Sequence, residues 1–89
     1  MLDLLGTASR LLRVPAAARE TLLDTQPHPN GAHIIRLHRV ASTGCYIVRV
    51  HASGSDQLRR AIMETDELAA STLFLRLALT PDPEACAIP

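Results

Sequence analysis

Apolar and polar positions along this chain fall into blocks of different period. Between residues 2 and 12, Leu2, Leu5, Ala8, Leu11 and Leu12 recur near helical spacing, which predicts an amphipathic helix. Val14-Pro15 interrupts it. The residue before a proline is pushed out of the helical region, while proline itself suits the first turn of a new helix, so 15–24 is expected to restart at an angle or to form one kinked helix with 2–12. The stretch TQPHPNG, 25–31, holds two Pro, an Asn and a Gly and is expected as a loop. From 32 to 52 the pattern turns to strict alternation rich in Ile, Val and Tyr, with a break at Ser42-Thr43-Gly44; this predicts a β-hairpin.

Polarity suggests the register of that hairpin. With Thr43-Gly44 as a two-residue loop, Val40 opposes Ile47, His38 opposes Arg49 and Arg36 opposes His51. The other face then collects Ile35, Leu37, Ala41, Tyr46, Val48 and Val50. A three-residue loop mixes charged and apolar residues on both faces, because a slip of one residue exchanges the faces of a strand.

Beyond the hairpin, ASGSD (52–56) supplies turn residues, and Ser53 or Ser55 is the expected cap of a following helix. In that helix Leu58, Ala61, Ile62, Thr65 and Leu68 or Ala69 share a face. Leu73, Leu75, Leu77 and Leu79 alternate with Thr72, Phe74, Arg76, Ala78 and Thr80, the period of a strand. Pro81 and Pro83 stop any element, leaving 81–89 as a flexible tail to a single domain, 1–80. The expected fold is an α+β two-layer sandwich: an N-terminal helix or helix pair, a hairpin, a helix and a third strand (ααββαβ). A right-handed crossover places the last strand beside the first, antiparallel to it, in a small mostly antiparallel sheet. Parts of the ferredoxin-like and KH-like folds share this order. The chain has no KH-type Gly-x-x-Gly loop and no RNP-like aromatic motif, so the likeness implies no function.

Composition sharpens this picture. Eighty-nine residues suffice for one core, and with one Phe, one Tyr and no Trp that core must be aliphatic. Such a small core favours self-association. Net charge is zero with neutral histidines, so no global field draws the chain to nucleic acid or membrane. The nine basic residues are all Arg, which a GC-rich coding sequence explains more simply than a need for forked donors does. Two cysteines are too few for a disulfide framework. No stretch has both the length and the freedom from charge to span a bilayer, and Asp3 stands where a secretory signal carries positive charge. A cytoplasmic setting is expected.

The expected helix-free face of the sheet presents Arg36, His38, Arg49 and His51, with Arg76 and Phe74 alongside. Neighbouring guanidiniums favour neutral imidazole, and an approaching phosphate or carboxylate reverses that preference. The plainest account of such a face is the solvated side of a one-faced sheet. As a partner surface, its arginines would meet acids such as Glu64, Asp66 and Glu67 of another chain. Nucleic acid is less favoured, because one Phe is a thin stacking platform.

His38, Cys45 and His51, with His28 and His33 near them, suggest a metal, but no ligand spacing supports one and the interleaved arginines repel a cation. Cys45 with a histidine lacks a third orienting group for nucleophilic catalysis, and no Gly-rich phosphate loop is present. The expectation is therefore a small, non-enzymatic binding or regulatory protein without cofactor. It would act through protein–protein contact, as a homodimer paired along LFLRLAL as an edge strand. A nucleic-acid or anion-binding Arg/His face is the alternative. No membrane role is expected, since the leucines of 2–12 are accounted for by covering the sheet.

Overall fold

The computed structural model describes residues 19–86. Strands β1 (Glu20–Pro27), β2 (His33–Val40), β3 (Tyr46–Ala52) and β4 (Leu58–Glu64) form an antiparallel meander in the order β1-β2-β3-β4, and helix α1 (Glu67–Leu79) follows. The domain is a small α+β unit of order ββββα, not ααββαβ. The helix expected at 2–12 lies outside the described residues.

The β2–β3 hairpin forms where alternation places it, with the four Arg and His residues on one side and Ile35, Leu37, Val48 and Val50 buried on the other. Its register differs by two: Arg36 faces Arg49, His38 faces Ile47, and Ile34 faces His51. The cause is a four-residue loop, 41–44. It is closed by Val40 N donating to Cys45 O (2.8 Å) and Gly44 N to Val40 O (2.9 Å), with Gly44 at φ +70°. A tight two-residue turn of the commonest kind would force Thr43 to positive φ as well, whereas here only the glycine goes there. A shift of two preserves both faces, so the separation of polar from apolar is unaffected.

Three other expectations are corrected. The helix expected over 15–24 is strand from Glu20 onward, and its partner in the sheet is β2; a bulge at Leu23 shifts the pairing from Leu22↔His38 to Asp24↔Leu37. The helix expected after residue 56 is β4. There Arg60, Ile62 and Glu64 are half-buried toward α1 while Arg59, Ala61 and Met63 are exposed, a period of two that coexists in this segment with a helical one. Ser53 and Ser55 belong to a second four-residue loop, 53–56, with the same closure: Ala52 N to Gln57 O (2.8 Å) and Asp56 N to Ala52 O (2.9 Å).

The third correction is the strand expected over 72–79, which is helix. Leucine and alanine favour it intrinsically, and Asp66 caps it by accepting from Ala69 N (2.9 Å). Ala70, Leu73, Phe74, Leu77 and Ala78 are buried on one face at positions i, i+3, i+4, i+7 and i+8. They pack on Ile35, Leu37, Val48 and Val50, with Tyr46, Ile62 and Cys86 at the margin. The alternating leucines therefore part company: Leu73 and Leu77 point in, while Leu75 and Leu79 are 58% and 81% exposed.

After the helix, residues 81–86, expected as the start of a flexible tail, lie against the far end of the sheet. His28 Nδ1 accepts from Asn30 N, so its Nε2 donates to Thr80 O. Glu84 meets His33 and Arg59, Arg60 donates to Pro83 O (3.1 Å), and Pro83 is fully buried. Residues 87–89 lie outside the described residues.

The helical placement has a direct test. Leu77→Ala should cost about 2–5 kcal/mol, the range for deleting a buried leucine side chain. Leu75→Ala and Leu79→Ala should each stay within about 0.5 kcal/mol. Urea unfolding of the three variants measures this, and similar losses at all three positions would restore the strand.

Candidate functional site

The open face of the sheet is assembled from two neighbouring strands and two outlying carboxylates. Arg36 and His38 alternate along β2 and Arg49 and His51 along β3, so all four share the side away from α1. Phe74 and Arg76, expected beside them, are elsewhere: both are on α1, with Phe74 in the core and Arg76 in the exposed last turn. Their helical setting carries them to the opposite side of the sheet, where Arg76 complements the negative end of the helix dipole.

Arg36 and Arg49 face each other directly across the hairpin, a like-charged pair that is destabilising by itself. Each has an internal counter-charge. Arg49 grips both oxygens of Glu20 at 2.5 and 3.0 Å, and Arg36 donates to Asp56 Oδ1 at 2.7 Å. Glu20 reaches the face because β1 pairs it with Val40. Asp56 reaches it from the 53–56 loop, where it takes φ +60° at the position that Gly44 holds in the sister loop; Asp is among the few residues that tolerate this region. The hydrogen bond from Arg49 holds the Glu20 carboxyl below its usual range, and that from Arg36 does the same for Asp56.

The histidines occupy the gaps of this lattice. His51 Nδ1 lies 3.1 Å from Asp56 O. His38 Nδ1 is buried, 3.5 Å from Glu20 Oε1, and makes no hydrogen bond among the described residues. Burial first, and then the charge of Arg49, lowers the His38 pKa; Glu20 opposes them. The sequence suggested neutral imidazoles through arginine repulsion, and at His38 desolvation is the larger cause.

Glu20 and Asp56 were not among the candidate site residues read from the sequence. Glu20 was assigned to a helix and Asp56 to the turn before one, and only the sheet order brings either to Arg49 or Arg36. Cys45 sits at the hairpin end, with its N–H bonded to Thr43 Oγ1. Among the described residues, no group of three His, Cys, Asp or Glu side chains is placed to hold a metal ion. His28 and His33 form a separate pair at the opposite end of the strands, rings edge-to-face with centroids 6.2 Å apart, and tie the β1–β2 turn to the segment after α1.

This face is thus a charge-balanced lattice of two arginines, two carboxylates and two histidines. No family model matches the chain, and neither any curated protein nor any solved structure matches it.

The lowered pKa of His38 fixes a sign. The unfolded chain takes up this proton first, so the contribution of neutral His38 is complete above the ordinary histidine pKa and is lost as pH falls through the depressed value. Stability from urea melts should therefore decline between about pH 7 and pH 5, the histidine range. His38→Gln should flatten that limb. Glu20→Gln should leave it in place and make the loss at lower pH, in the carboxylate range, shallower. A limb unchanged by His38→Gln would remove His38 as its source.

Proposed function

We propose that this protein is a small, non-enzymatic binding or regulatory protein that works through protein–protein contact, with a homodimer as its working form. The observation that carries the proposal is the outward face of α1. Leu68, Leu75 and Leu79 stand in line with Thr72 at intervals of four, three and four residues, opposite the buried face, and the leucines are 75%, 58% and 81% exposed. An isolated exposed leucine needs no explanation, but three on one stripe of one helix are the pattern of a helix that packs on both sides. The partner suited to it offers an apolar surface.

The chemistry of the open sheet face supports the same choice. An incoming phosphate would have to displace Glu20 from Arg49 and Asp56 from Arg36, so the arginines that recommended an anion or nucleic-acid site already have carboxylates. The idea that LFLRLAL pairs as an edge strand is withdrawn with the strand itself. The proposed setting is the cytoplasm, where two cysteines without a disulfide framework are ordinary. No helix among the described residues is long and apolar enough to cross a membrane.

Light scattering behind a sizing column should return twice the chain mass at tens of micromolar, and a strict monomer would remove the homodimer. In pull-downs from the native host, the intact chain should retain proteins that a Leu75→Glu, Leu79→Glu variant releases. That variant should keep its unfolding midpoint, because neither leucine is in the core. Equal retention by both would dismiss the α1 stripe.

A further inference from the structure

β4 is one of the two edges of the sheet, and its unpaired backbone has a determinate direction. Val40 N bonds to Cys45 O. By the alternation of an antiparallel ladder, Cys45, Ile47, Arg49 and His51 then bond toward β2, and Tyr46, Val48 and Val50 bond toward β4. The residues facing those three are Glu64, Ile62 and Arg60. Ala61 and Met63, between them, turn their N–H and C=O groups off the sheet, where no described residue meets them. Exposed edges of this kind recruit another strand unless something blocks them.

We infer that the occupant is the β4 strand of a second copy, running antiparallel about a two-fold axis through Ile62. The inference rests on the proposal that the chain self-associates, and it assigns the contact. Because hydrogen-bonded pairs must join outward-pointing residues, the axis passes through a residue and not between two. Centred on Arg60 the pairing sets Arg60 against itself; centred on Glu64 it sets Glu64 against itself. Centred on Ala61 it opposes Arg60 with Ile62, and centred on Met63 it opposes Ile62 with Glu64. Only the axis at Ile62 matches charge with opposite charge and apolar with apolar. Arg60 then meets Glu64 of the second copy twice, Ile62 meets itself, and Ala61 exchanges both backbone hydrogen bonds with Met63, also twice.

Two features of the single chain agree with this register. Glu64 is half-buried on the side facing α1, yet it makes no hydrogen bond or ion pair among the described residues. Among the described residues Arg60 uses one of its five donors, on Pro83 O, and keeps the rest of its fork. Ile62 already touches the margin of the core, so the pairing continues that core into an eight-stranded sheet with both helices on one side. The α1 stripes stay exposed and free for a different partner.

The register is tested by charge exchange. Arg60→Glu and Glu64→Arg should each halve the molar mass seen by light scattering, since each sets like charges against one another at both pairs. Mixed in equal amounts, the two variants should recover the dimer mass, because two acidic groups on one chain then face two basic groups on the other; native mass spectrometry should identify the heterodimer. Met63→Pro removes an outward N–H without touching the β3 ladder, at a side chain 62% exposed. It should also give a monomer, with the thermal unfolding of a folded chain. A dimer that survives Arg60→Glu and Met63→Pro, or variants that stay monomeric on mixing, would overturn the β4 contact. Loss of the dimer in Leu75→Glu alone would overturn it too and move the interface to α1, leaving self-association standing. A monomeric intact chain would overturn self-association itself.

Discussion

The fold depends on one contact: the buried face of α1 laid across the middle of the sheet. Ile35 and Leu37 on β2 and Val48 and Val50 on β3 supply one side of it, and Leu73, Phe74 and Leu77 the other. These residues are nearly the whole core of the described chain, and burying each large aliphatic or aromatic side chain contributes on the order of 1.5–3 kcal/mol. A four-stranded meander without that cover would leave its apolar face in water, so the open face is free to be polar only because α1 seals the other. Among the described residues α1 is the only helix that covers the sheet, and the Arg/His lattice lies on the face it leaves open.

What the sequence made legible follows from where burial is one-sided. Between residues 32 and 52, β-branched residues and alternation agree, and the hairpin and its two faces could be read directly. Over Leu58–Glu64 and Glu67–Leu79 the local signals conflict. β4 has one β-branched residue, Ile62, and reads equally well with helical spacing; α1 has leucine at every second position from Leu73 to Leu79 and reads as strand there. Intrinsic propensity would have reversed the second assignment, because Leu and Ala are strong helix formers. At β4 propensity fails, and only pairing with β3 decides. β1 was hidden by the proline-based restart at residue 15, since Thr21, Leu22 and Leu23 suit either element.

The site was half legible for a related reason. Parity along a strand gathers Arg36, His38, Arg49 and His51 for any loop with an even number of residues, but the pairing of Arg36 with Arg49 depends on a loop two residues longer than the tightest turn. Once the two guanidiniums face each other, counter-charges become a requirement, and they come from 16 residues before Arg36 (Glu20) and 20 after it (Asp56). No local pattern predicts such partners. Phe74 and Arg76 were assigned to this face only through the mistaken strand, and left it when that segment became a helix.

Each strand of the meander pairs with its neighbour in sequence, and this connectivity orders events in time. β1 to β4 can zip hairpin by hairpin, closing loops of only a few residues, which favours rapid folding. The helix that covers the result is encoded after all four strands. On the ribosome, at about 5–20 residues per second, the apolar face of β2 and β3 therefore emerges on the order of seconds before Phe74 and Leu77 can reach it. For that interval no described residue covers the hydrophobic side of the sheet, and the yield in a cell depends on how that side is shielded until α1 arrives.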